Sequence, residues 1–483
     1  MSTDNSTNIN QLVGATAFYN AGFTGTKAVV AVIDAGLVWD GQESLTRVTT
    51  QIPNSYAANQ FDMHATWVGA SIAGYNPSIG YNPNAPSRDQ MLETGIAYNA
   101  TLWTGGVATS WANQGPVYSE GFYTNSSSFV TPYLEAMITG INGQTADVIN
   151  SSISAYESPS SSSYGSYLTS GNNFLSVTLD ALTAASGKLV VVSAGNNGPG
   201  DDSVGAPASG INELVVGATN SDTSNPEYGS VASFSSVSPS DFFIPGDSGG
   251  YTGMFLSDAR ARIDLVAPGT NLDLAHYGGA TGGNSFGGYT DSYTDAYNTD
   301  LAGTSFSSPI TAGGAALVVD AGRALYSSDP NAVDGRVLEA VLLNSATPLA
   351  GWNNGQVLSN GVISTIQSLD YAQGVGELNL TNAYTQYTTG THDTAVPSAV
   401  FGNLQGSTVN AASVQSIGWV YGAISHYAGE QTNEEYLIST PLKGGTLLTV
   451  TLAWYADDTY EPNDPTDVSY GSFDNLDLQI WQD

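Results

Sequence analysis

The sequence predicts an α/β fold with a doubly wound, mostly parallel sheet, and two observations carry this prediction. Apolar runs at residues 27–35 and 188–199 are continuous rather than alternating, which is typical of strands buried on both faces of a parallel sheet. Residues 173–187 carry apolar side chains at helical spacing and end in a glycine. A helix placed before such a strand, with an apolar run at 146–155 preceding it, indicates a right-handed crossover unit.

The remaining elements follow in chain order. Apolar runs at 213–220 and 263–270 extend the predicted sheet. Two further helices are predicted at 307–326, with Pro309 near its first turn, and at 336–347, which is amphipathic. Stretches rich in Gly, Ser, Asn and Tyr are interpreted as surface insertions, and they lie at about 75–125, 155–172, 222–258 and 271–300.

The length of 483 residues predicts one large domain and one smaller one. Strand and helix patterns continue to about residue 385, so residues 1–385 are expected to form the α/β domain. Residues 446–457 and 475–483 alternate apolar and polar side chains without helical spacing. Residues 386–483 are therefore predicted to form a jelly-roll-like β-sandwich domain. Because the sequence stops on a predicted strand, we expect this domain to be incomplete here.

Composition excludes several classes of function. Forty-three acidic residues against nine basic ones give a net charge of −34, which repels nucleic acids and anionic membrane surfaces. No apolar run approaches the roughly 20 residues that cross a bilayer, so membrane insertion is not expected. The absence of cysteine excludes disulfides, thiolate catalysis and cysteine-based zinc sites. The acidity itself fits solubility in a salty or exposed setting, calcium binding or a basic substrate.

Four polar residues stand at the predicted edge of the sheet where ligands bind, beyond the carboxyl ends of the strands. Asp34 closes the first strand, and Asn196 follows the strand that includes residues 190–192. Ser305 lies where a loop enters a helix, and His64 begins a helical segment. A lone residue of any of these kinds is usually a cap or turn residue, so the prediction depends on their conjunction.

These residue types suit nucleophilic catalysis. A serine hydroxyl becomes a good nucleophile when an imidazole accepts its proton, and a buried carboxylate fixes the imidazole tautomer. The oxyanion of the tetrahedral intermediate needs donors already in place. A side-chain amide and a backbone N–H at the start of a helix can supply them.

The segments around these residues resemble the subtilisin family. They read VIDAG at 32–36, HATWVG at 64–69, SAGNNG at 193–198 and GTSFSSP at 303–309. The resemblance implies a serine endopeptidase that forms an acyl-enzyme. In it, Asp34 is the orienting acid and His64 the general base. Asn196 would be the oxyanion donor and Ser305 the nucleophile.

The likeness extends from about residue 10 to residue 385. VINSSIS at 148–154 resembles the family strand that lines the specificity pocket, which implies that Ser152, Ile153 and Ser154 bind substrate. Segments at 205–209, 231–239, 263–269 and 373–384 also match in order, and the terminal VTLAW…DNLDLQI resembles the β-sandwich of some larger subtilisins. The chain departs from the family pattern at Ala35, Ala65, Trp67 and Ser154.

The resemblance also implies protein or peptide substrates, a secreted or extracellular location, structural calcium and no organic cofactor. No calcium ligand is assigned. Glu43 roughly matches a family ligand position, and two acidic groups offer further candidates: Asp291, Asp295 and Asp300, and Asp457, Asp458, Asp464 and Asp467. Oligomeric state and side-chain preference stay open.

Three alternatives remain beside the active endopeptidase. The first is a catalytically inactive subtilisin fold that serves as a binding or adhesion module. The second is an acid-active relative with a carboxylate base, which His64 in its motif argues against. The third is a processing protease that cleaves after basic residues, which changes the specificity but leaves the reaction the same.

Overall fold

The computed structural model describes most of the chain up to residue 393 and short segments beyond it. The described residues are 2–3, 7–48, 50–52, 61–111, 121–155, 169–244, 254–275, 277, 297–359, 362–365, 367, 369–393, 400–401, 412–422, 432–433, 436–438, 440–444, 448–456, 458–460 and 468–470.

Seven described strands form the central sheet, and every pairing in it is parallel. The strands are β1 (Val29–Asp34), β2 (Thr50–Gln51), β3 (Thr101–Gly106), β4 (Val148–Ser151), β5 (Leu189–Ser193), β6 (Leu214–Thr219) and β7 (Leu265–Pro268). Their order across the sheet is β7-β6-β5-β4-β1-β3-β2. The chain thus builds outward from β1 in both directions, and the predicted doubly wound α/β fold is confirmed.

Both faces of the sheet are buried, because side chains alternate between two apolar clusters. In β1, Val30 and Val32 belong to one cluster, and Ala31 and Ile33 belong to the other. All four are 0% exposed. A strand that must be apolar on both faces is a continuous apolar run, which explains why these strands could be recognised in the sequence.

Helices cover each face. The longer ones are α1 (Met63–Ala73), α2 (Phe174–Ser186), α3 (Thr304–Leu325), α4 (Gly335–Ser345) and α5 (Leu380–Thr388). Side chains of α1, α3, α4 and α5 pack into the cluster that contains Val30, whereas α2 and helix Ser126–Leu134 pack into the cluster that contains Ile33. Shorter helical segments are Ile9–Leu12, Thr16–Asn20, Arg88–Leu92, Glu135–Thr139 (a π-helix) and Pro330–Val333 (a 3-10 helix).

Helix α2 begins and ends where the sequence predicts. Asn173 caps its first turn, since its side chain accepts a hydrogen bond from the Ser176 N–H at 3.0 Å. Gly187 follows its last residue with φ of 66°, a left-handed conformation that glycine adopts without strain. The predicted crossover unit of β4, α2 and β5 is therefore present.

The interpretation of residues 75–125 as a surface insertion is wrong in part. Strand β3 lies within this stretch, and it pairs with β1 along its whole length. The run contains two threonines and two glycines, so its apolar character is weak. Gly105 is required for packing, since a Cβ there would lie 2.9 Å from the Cβ of Pro132. Close packing thus leaves no room for a side chain at residue 105. The composition of the segment does not show this requirement.

Helix α3 begins at Thr304, three residues before its predicted start at 307. Pro309 is therefore in the second turn rather than the first. Proline has no N–H, so it cannot donate to the carbonyl four residues earlier, which is that of Ser305. The Ser152 hydroxyl donates to this carbonyl instead, at 3.0 Å. Because of the proline, the Ser305 carbonyl is available to the segment that follows β4.

Smaller β structures surround the central sheet. Ser2–Thr3, Leu272–Ala275 and Tyr297–Leu301 form an antiparallel three-stranded sheet. The paired strands are Ser110–Trp111 with Phe122–Tyr123, Ser240–Ile244 with Met254–Arg260, Val357–Ser359 with Val362–Ser364, Thr391–Asp393 with Gly418–Val420, Val400–Phe401 with Thr432–Asn433, Ala412–Val414 with Tyr436–Ile438, and Asp458–Tyr460 with Val468–Tyr470.

The division into residues 1–385 and a β-sandwich at 386–483 stays a prediction. Four of the strand pairs lie beyond residue 386, whereas residues 475–483 fall outside the described part of the chain. Within the described residues, no helix is long and apolar enough to cross a membrane.

A cluster of buried charges lies near the amino-terminal ends of β6 and β7. Arg262 forms ion pairs with Glu213 at 3.1 Å and with Asp264 at 2.9 Å. Asp180 of α2 accepts hydrogen bonds from the N–H groups of residues 211 and 212. Burial, together with the charge of Asp180, raises the pKa of Glu213 well above its usual range. Arg262 opposes this shift, because its positive charge lowers the pKa of Glu213.

Glu339 of α4 lies near the same charges. Burial raises its pKa to about 8; the nearby Asp264 carboxylate also raises it, and Arg262 lowers it. A raised pKa in the folded state means that the folded protein binds this proton more tightly than the unfolded chain. Its contribution to stability is complete below the unfolded value of about 4.3 and is lost as the pH rises through the folded value.

We therefore expect the melting temperature to fall between pH 5 and pH 9, and Glu339→Gln to make this fall smaller by a few degrees. Glutamine keeps the shape of the side chain and removes its titration. Thermal unfolding followed by circular dichroism across this pH range measures the effect. Glu227→Gln, at an exposed position, is the matched control and should leave the profile unchanged. An equal fall in wild type and Glu339→Gln would contradict the expectation.

Candidate active site

A cavity opens at the carboxyl ends of β1, β4 and β5, which are neighbours in the sheet. Its lining residues are Asp34, Ala35, His64, Phe122, Ser152, Ile153, Ser154, Ser193, Asn196, Thr304 and Ser305. All seven residues predicted from the sequence to serve catalysis or substrate binding are among them. The predicted edge of the sheet is thus the place where these side chains meet.

Asp34 and His64 are in direct contact. Asp34 is the last residue of β1 and is 1% exposed, and its Oδ1 accepts a hydrogen bond from the Ala35 N–H at 2.7 Å. Both carboxylate oxygens lie 3.0 Å from Nδ1 of His64. A carboxylate at Nδ1 favours the tautomer with the proton on Nδ1. Nε2 of His64 is then the nitrogen that can accept a proton.

The start of α1 places His64. Asp62 precedes the helix, and its side chain accepts a hydrogen bond from the Ala65 N–H at 3.1 Å. The Thr66 hydroxyl donates to the Asp62 carbonyl at 2.6 Å. Ala65, one of the departures from the family pattern, is completely buried and takes part in this cap through its backbone. The first turn that carries His64 is therefore capped in the ordinary way.

Ser305 is the second residue of α3, at the end of the helix where the macrodipole favours negative charge. Its hydroxyl donates to the Ser152 carbonyl at 3.4 Å, and the Ser152 hydroxyl donates to the Ser305 carbonyl at 3.0 Å. These reciprocal bonds join the start of α3 to the segment that follows β4.

Asn196 is oriented by Thr304. Its Oδ1 accepts hydrogen bonds from both the backbone N–H and the hydroxyl of Thr304, each at 2.9 Å. The Thr304 hydroxyl in turn accepts a bond from the Gly195 N–H at 3.1 Å. With Oδ1 used in this way, Nδ2 is the polar atom of Asn196 that can donate to a group in the cavity.

The segment 152–154 follows β4 along the cavity. Ser152 and Ile153 are 4% and 8% exposed. The Asn150 amide donates to the Ser152 hydroxyl at 3.0 Å, and Ser308 of α3 donates to the Asn150 Oδ1 at 2.8 Å. The end of β4 is therefore tied to α3 a second time.

Several residues of the cavity are not among those predicted from the sequence. Thr304 lies in GTSFSSP at 303–309 and Ser193 lies in SAGNNG at 193–198. Their polar side chains near Ser305 and Asn196 could have indicated that they line the cavity. Phe122 lies in the strand that pairs with Ser110–Trp111, and its ring lies 6.4 Å from that of Trp111. Nothing in the local sequence indicates that this hairpin reaches the cavity.

Two described groups of side chains bring three possible metal ligands together. The first is Asp34, Asp62 and His64, where the contact between Asp34 and His64 already uses the ligand atoms. The second is Asp202, Asp241 and Asp258, whose carboxylates suit a hard cation. Burial raises the pKa of Asp202, and the charges of neighbouring carboxylates raise it further.

The calcium candidates from the sequence are not among these groups. Glu43 accepts a hydrogen bond from the Tyr297 hydroxyl at 3.4 Å. Asp291, Asp295, Asp457, Asp464 and Asp467 lie outside the described residues.

Comparison with known proteins identifies relatives of this chain. Subtilisin Savinase of Lederbergia lenta is 27% identical over 308 residues, which are 63% of this chain and 81% of Savinase. The alkaline protease of Alkalihalobacillus alcalophilus is 28% identical over 306 residues, which are 63% of this chain and 57% of that protein. The match therefore spans less than two thirds of the second relative.

Among solved structures, the prenylagaramide maturation protease PagA matches 77% of this chain and 97% of its own, with 21% identity and a TM-score of 0.46. Residues 25–376 match the model of the Subtilase family, and this range contains the whole cavity described above. The match covers more than half of the chain, which therefore belongs to the Subtilase family of subtilisin-like serine proteases.

Proposed function

We propose that this protein is a serine endopeptidase that forms an acyl-enzyme on Ser305. The observation that carries the proposal is the contact of His64 Nδ1 with both oxygens of Asp34, at 3.0 Å, in a cavity that Ser305 also lines. A nucleophile, a base and a group that orients the base are the requirements of this chemistry. Membership of the Subtilase family supports the same reaction type.

In the proposed mechanism, Nε2 of His64 accepts the proton of the Ser305 hydroxyl as Oγ attacks the scissile carbonyl. Rotation of the Ser305 side chain releases its long bond to the Ser152 carbonyl. Asp34 stabilises the imidazolium that forms, and His64 then gives the proton to the leaving amine. Water then attacks the acyl-enzyme as His64 accepts its proton, and His64 returns a proton to the Ser305 oxygen as the bond to the acyl group breaks.

Asn196 and the start of α3 would hold the oxyanion. Asn196 and Ser305 both line the cavity, and the Asn196 amide nitrogen and the Ser305 N–H would be the two donors. Thr304 supports this role because its two bonds fix the amide oxygen on the opposite side. Donors that are oriented in advance stabilise the charge that develops in the transition state.

Ser152, Ile153 and Ser154 would bind the substrate backbone beside the cavity, with protein or peptide chains as substrates. Ile153 and Phe122 supply apolar surface to the lining, and the serines supply polar groups. The departure at Ser154 adds a side chain where the family pattern has glycine, which narrows this part of the cleft.

The inactive binding module is the second candidate function. A chain that had lost catalysis would be expected to have lost at least one of Asp34, His64, Asn196 and Ser305. All four are present and line one cavity, so the active enzyme is favoured. The contact between His64 and Asp34 also disfavours an acid-active relative with a carboxylate base.

Structural calcium, secretion and the C-terminal β-sandwich are further parts of the proposal. Three carboxylates meet at Asp202, Asp241 and Asp258, and oxygen ligands of this kind bind calcium. The names of the bacterial relatives, a subtilisin and an alkaline protease, support protease activity, and secretion is proposed from the resemblance to subtilisins.

Ser305→Ala should abolish hydrolysis of casein and of peptide amides, since no other group would form the acyl-enzyme. A serine-directed phosphonate should label wild type once, at Ser305, as measured by mass spectrometry. Ser307→Ala, two residues on in the same helix, is a control that should retain activity. Unchanged hydrolysis in Ser305→Ala would refute the assignment of the nucleophile. Absence of labelling in the folded wild type would favour the binding module.

Asn196→Ala should lower kcat by about 10²–10³-fold, the loss known for one oxyanion donor in subtilisin. Thr304→Val should lower kcat by roughly tenfold, because one of two bonds that orient Asn196 is lost. Thr304→Ser keeps the hydroxyl and should stay close to wild type. Steady-state kinetics with a peptide amide separates kcat from KM. Equal kcat values in the valine and serine variants would show that the hydroxyl does not orient Asn196.

Chelation tests the proposed calcium. If calcium is structural, excess EGTA should lower the melting temperature, and added calcium in excess of EGTA should restore it, because a ligand bound to the native state stabilises that state. Magnesium added at the same excess is the control for ionic strength. A melting temperature that EGTA leaves unchanged would count against a structural calcium site.

A further inference from the structure

Three aromatic rings lie together at the edge of the cavity. The His64 ring lies 6.5 Å from the Trp67 ring and 6.2 Å from the Phe306 ring. Trp67 and Phe306 are themselves 6.0 Å apart with an interplanar angle of 75°, an edge-to-face contact. We call His64, Trp67 and Phe306 the three-ring cluster.

The cluster connects the two helices that carry the proposed base and nucleophile. Trp67 is three residues after His64 in α1, so both side chains lie on the same face of that helix. Phe306 follows Ser305 directly in α3. Trp67 and Phe306 are 6% and 3% exposed, so solvent is largely excluded from their contact. The distance between the starts of α1 and α3 therefore depends on the size and shape of these two rings.

The contact with Asp34 does not by itself fix the orientation of the His64 imidazole. Nδ1 of His64 lies 3.0 Å from both carboxylate oxygens, a symmetrical arrangement that sets distance better than it sets the tilt of the imidazole ring. The imidazole must point Nε2 toward Ser305 for proton transfer. Rings packed beside it restrict its tilt without competing for its nitrogen atoms.

We propose that Trp67 and Phe306 are positioning residues, which hold the His64 imidazole in the orientation that proton transfer from Ser305 requires. The inference rests on the proposed function for the reaction itself. It assigns a catalytic consequence to two apolar residues that are not among those lining the cavity. A reacting pair displaced by about 1 Å can lose on the order of a hundredfold in rate.

The test compares Trp67→Leu, Phe306→Leu and the double variant with Trp67→Phe and Phe306→Tyr, which keep a ring. Phe18→Leu is the matched control, because Phe18 is 0% exposed, belongs to the same apolar cluster and makes an edge-to-face contact with Tyr384 at 5.2 Å. Kinetics with a peptide amide measures kcat and KM, and thermal unfolding measures the stability of each variant.

We expect each leucine variant at the cluster to lose about 10- to 100-fold in kcat with KM within about twofold of wild type. The ring-keeping variants should recover most of this loss. The double variant should lose less than the product of the single losses, because the first substitution already breaks the contact. Phe18→Leu should lower the melting temperature and leave kcat unchanged. A kcat loss in Phe18→Leu as large as that in Phe306→Leu would overturn the proposal, and so would unchanged kcat in both cluster variants.

A second measurement does not depend on catalysis. The proton on Nδ1 of His64 should give a sharp low-field resonance in the proton NMR spectrum of wild type and of Phe18→Leu. Trp67→Leu and Phe306→Leu should broaden it, since a ring that tilts exposes this proton to exchange with water. A sharp resonance in every variant would overturn the positioning role. If wild type shows no hydrolysis that depends on Ser305, the proposed function is refuted. The NMR comparison would still test the effect of the rings on His64.

Discussion

Burial of α3 is the constraint on which the rest of the structure depends. Glycines let the helix lie close to its neighbours: a Cβ at Gly313 would be 2.7 Å from the Cβ of Ile96, and one at Gly314 would be 2.7 Å from a methyl carbon of Leu380. Near the other end, Asp320 accepts hydrogen bonds from the N–H groups of residues 24–26 at 3.0 to 3.1 Å. A helix confined along its length cannot slide, so its first turn has one position relative to the sheet.

Hydrogen bonds within the site join segments that are far apart in sequence. Thr304 links the loop after β5 to the start of α3 through Gly195 and Asn196. Ser152 links the end of β4 to the same helix through Ser305. Ser305, Asn196 and the segment 152–154 are therefore positioned by one another as much as by the sheet. Glu213 and Arg262, by contrast, lie near the amino-terminal ends of β6 and β7, away from the cavity at the carboxyl ends.

Sequence alone predicted the elements whose physics is local. Strands buried on both faces are continuous apolar runs, and α2 carries its own cap at Asn173 and stop at Gly187, so these were recognised. Strand β3 was missed because Gly105 is set by packing against Pro132, which no local pattern shows. The site residues could be named because they stand inside motifs. Thr304 and Phe306 contact Asn196 and Trp67, which are distant in sequence, so these contacts appear only in the folded structure.

Pro309 has a consequence for how this site can change. The proline removes the helical donor for the Ser305 carbonyl, and the Ser152 hydroxyl takes its place at 3.0 Å. The two positions are thus coupled across the cleft. Loss of the Ser152 hydroxyl leaves the Ser305 carbonyl without this donor. If Pro309 has first become a residue with an N–H, the same loss leaves the carbonyl bonded within the helix. The order of substitutions then decides which are tolerated: a change at residue 152 is tolerated better after a change at residue 309.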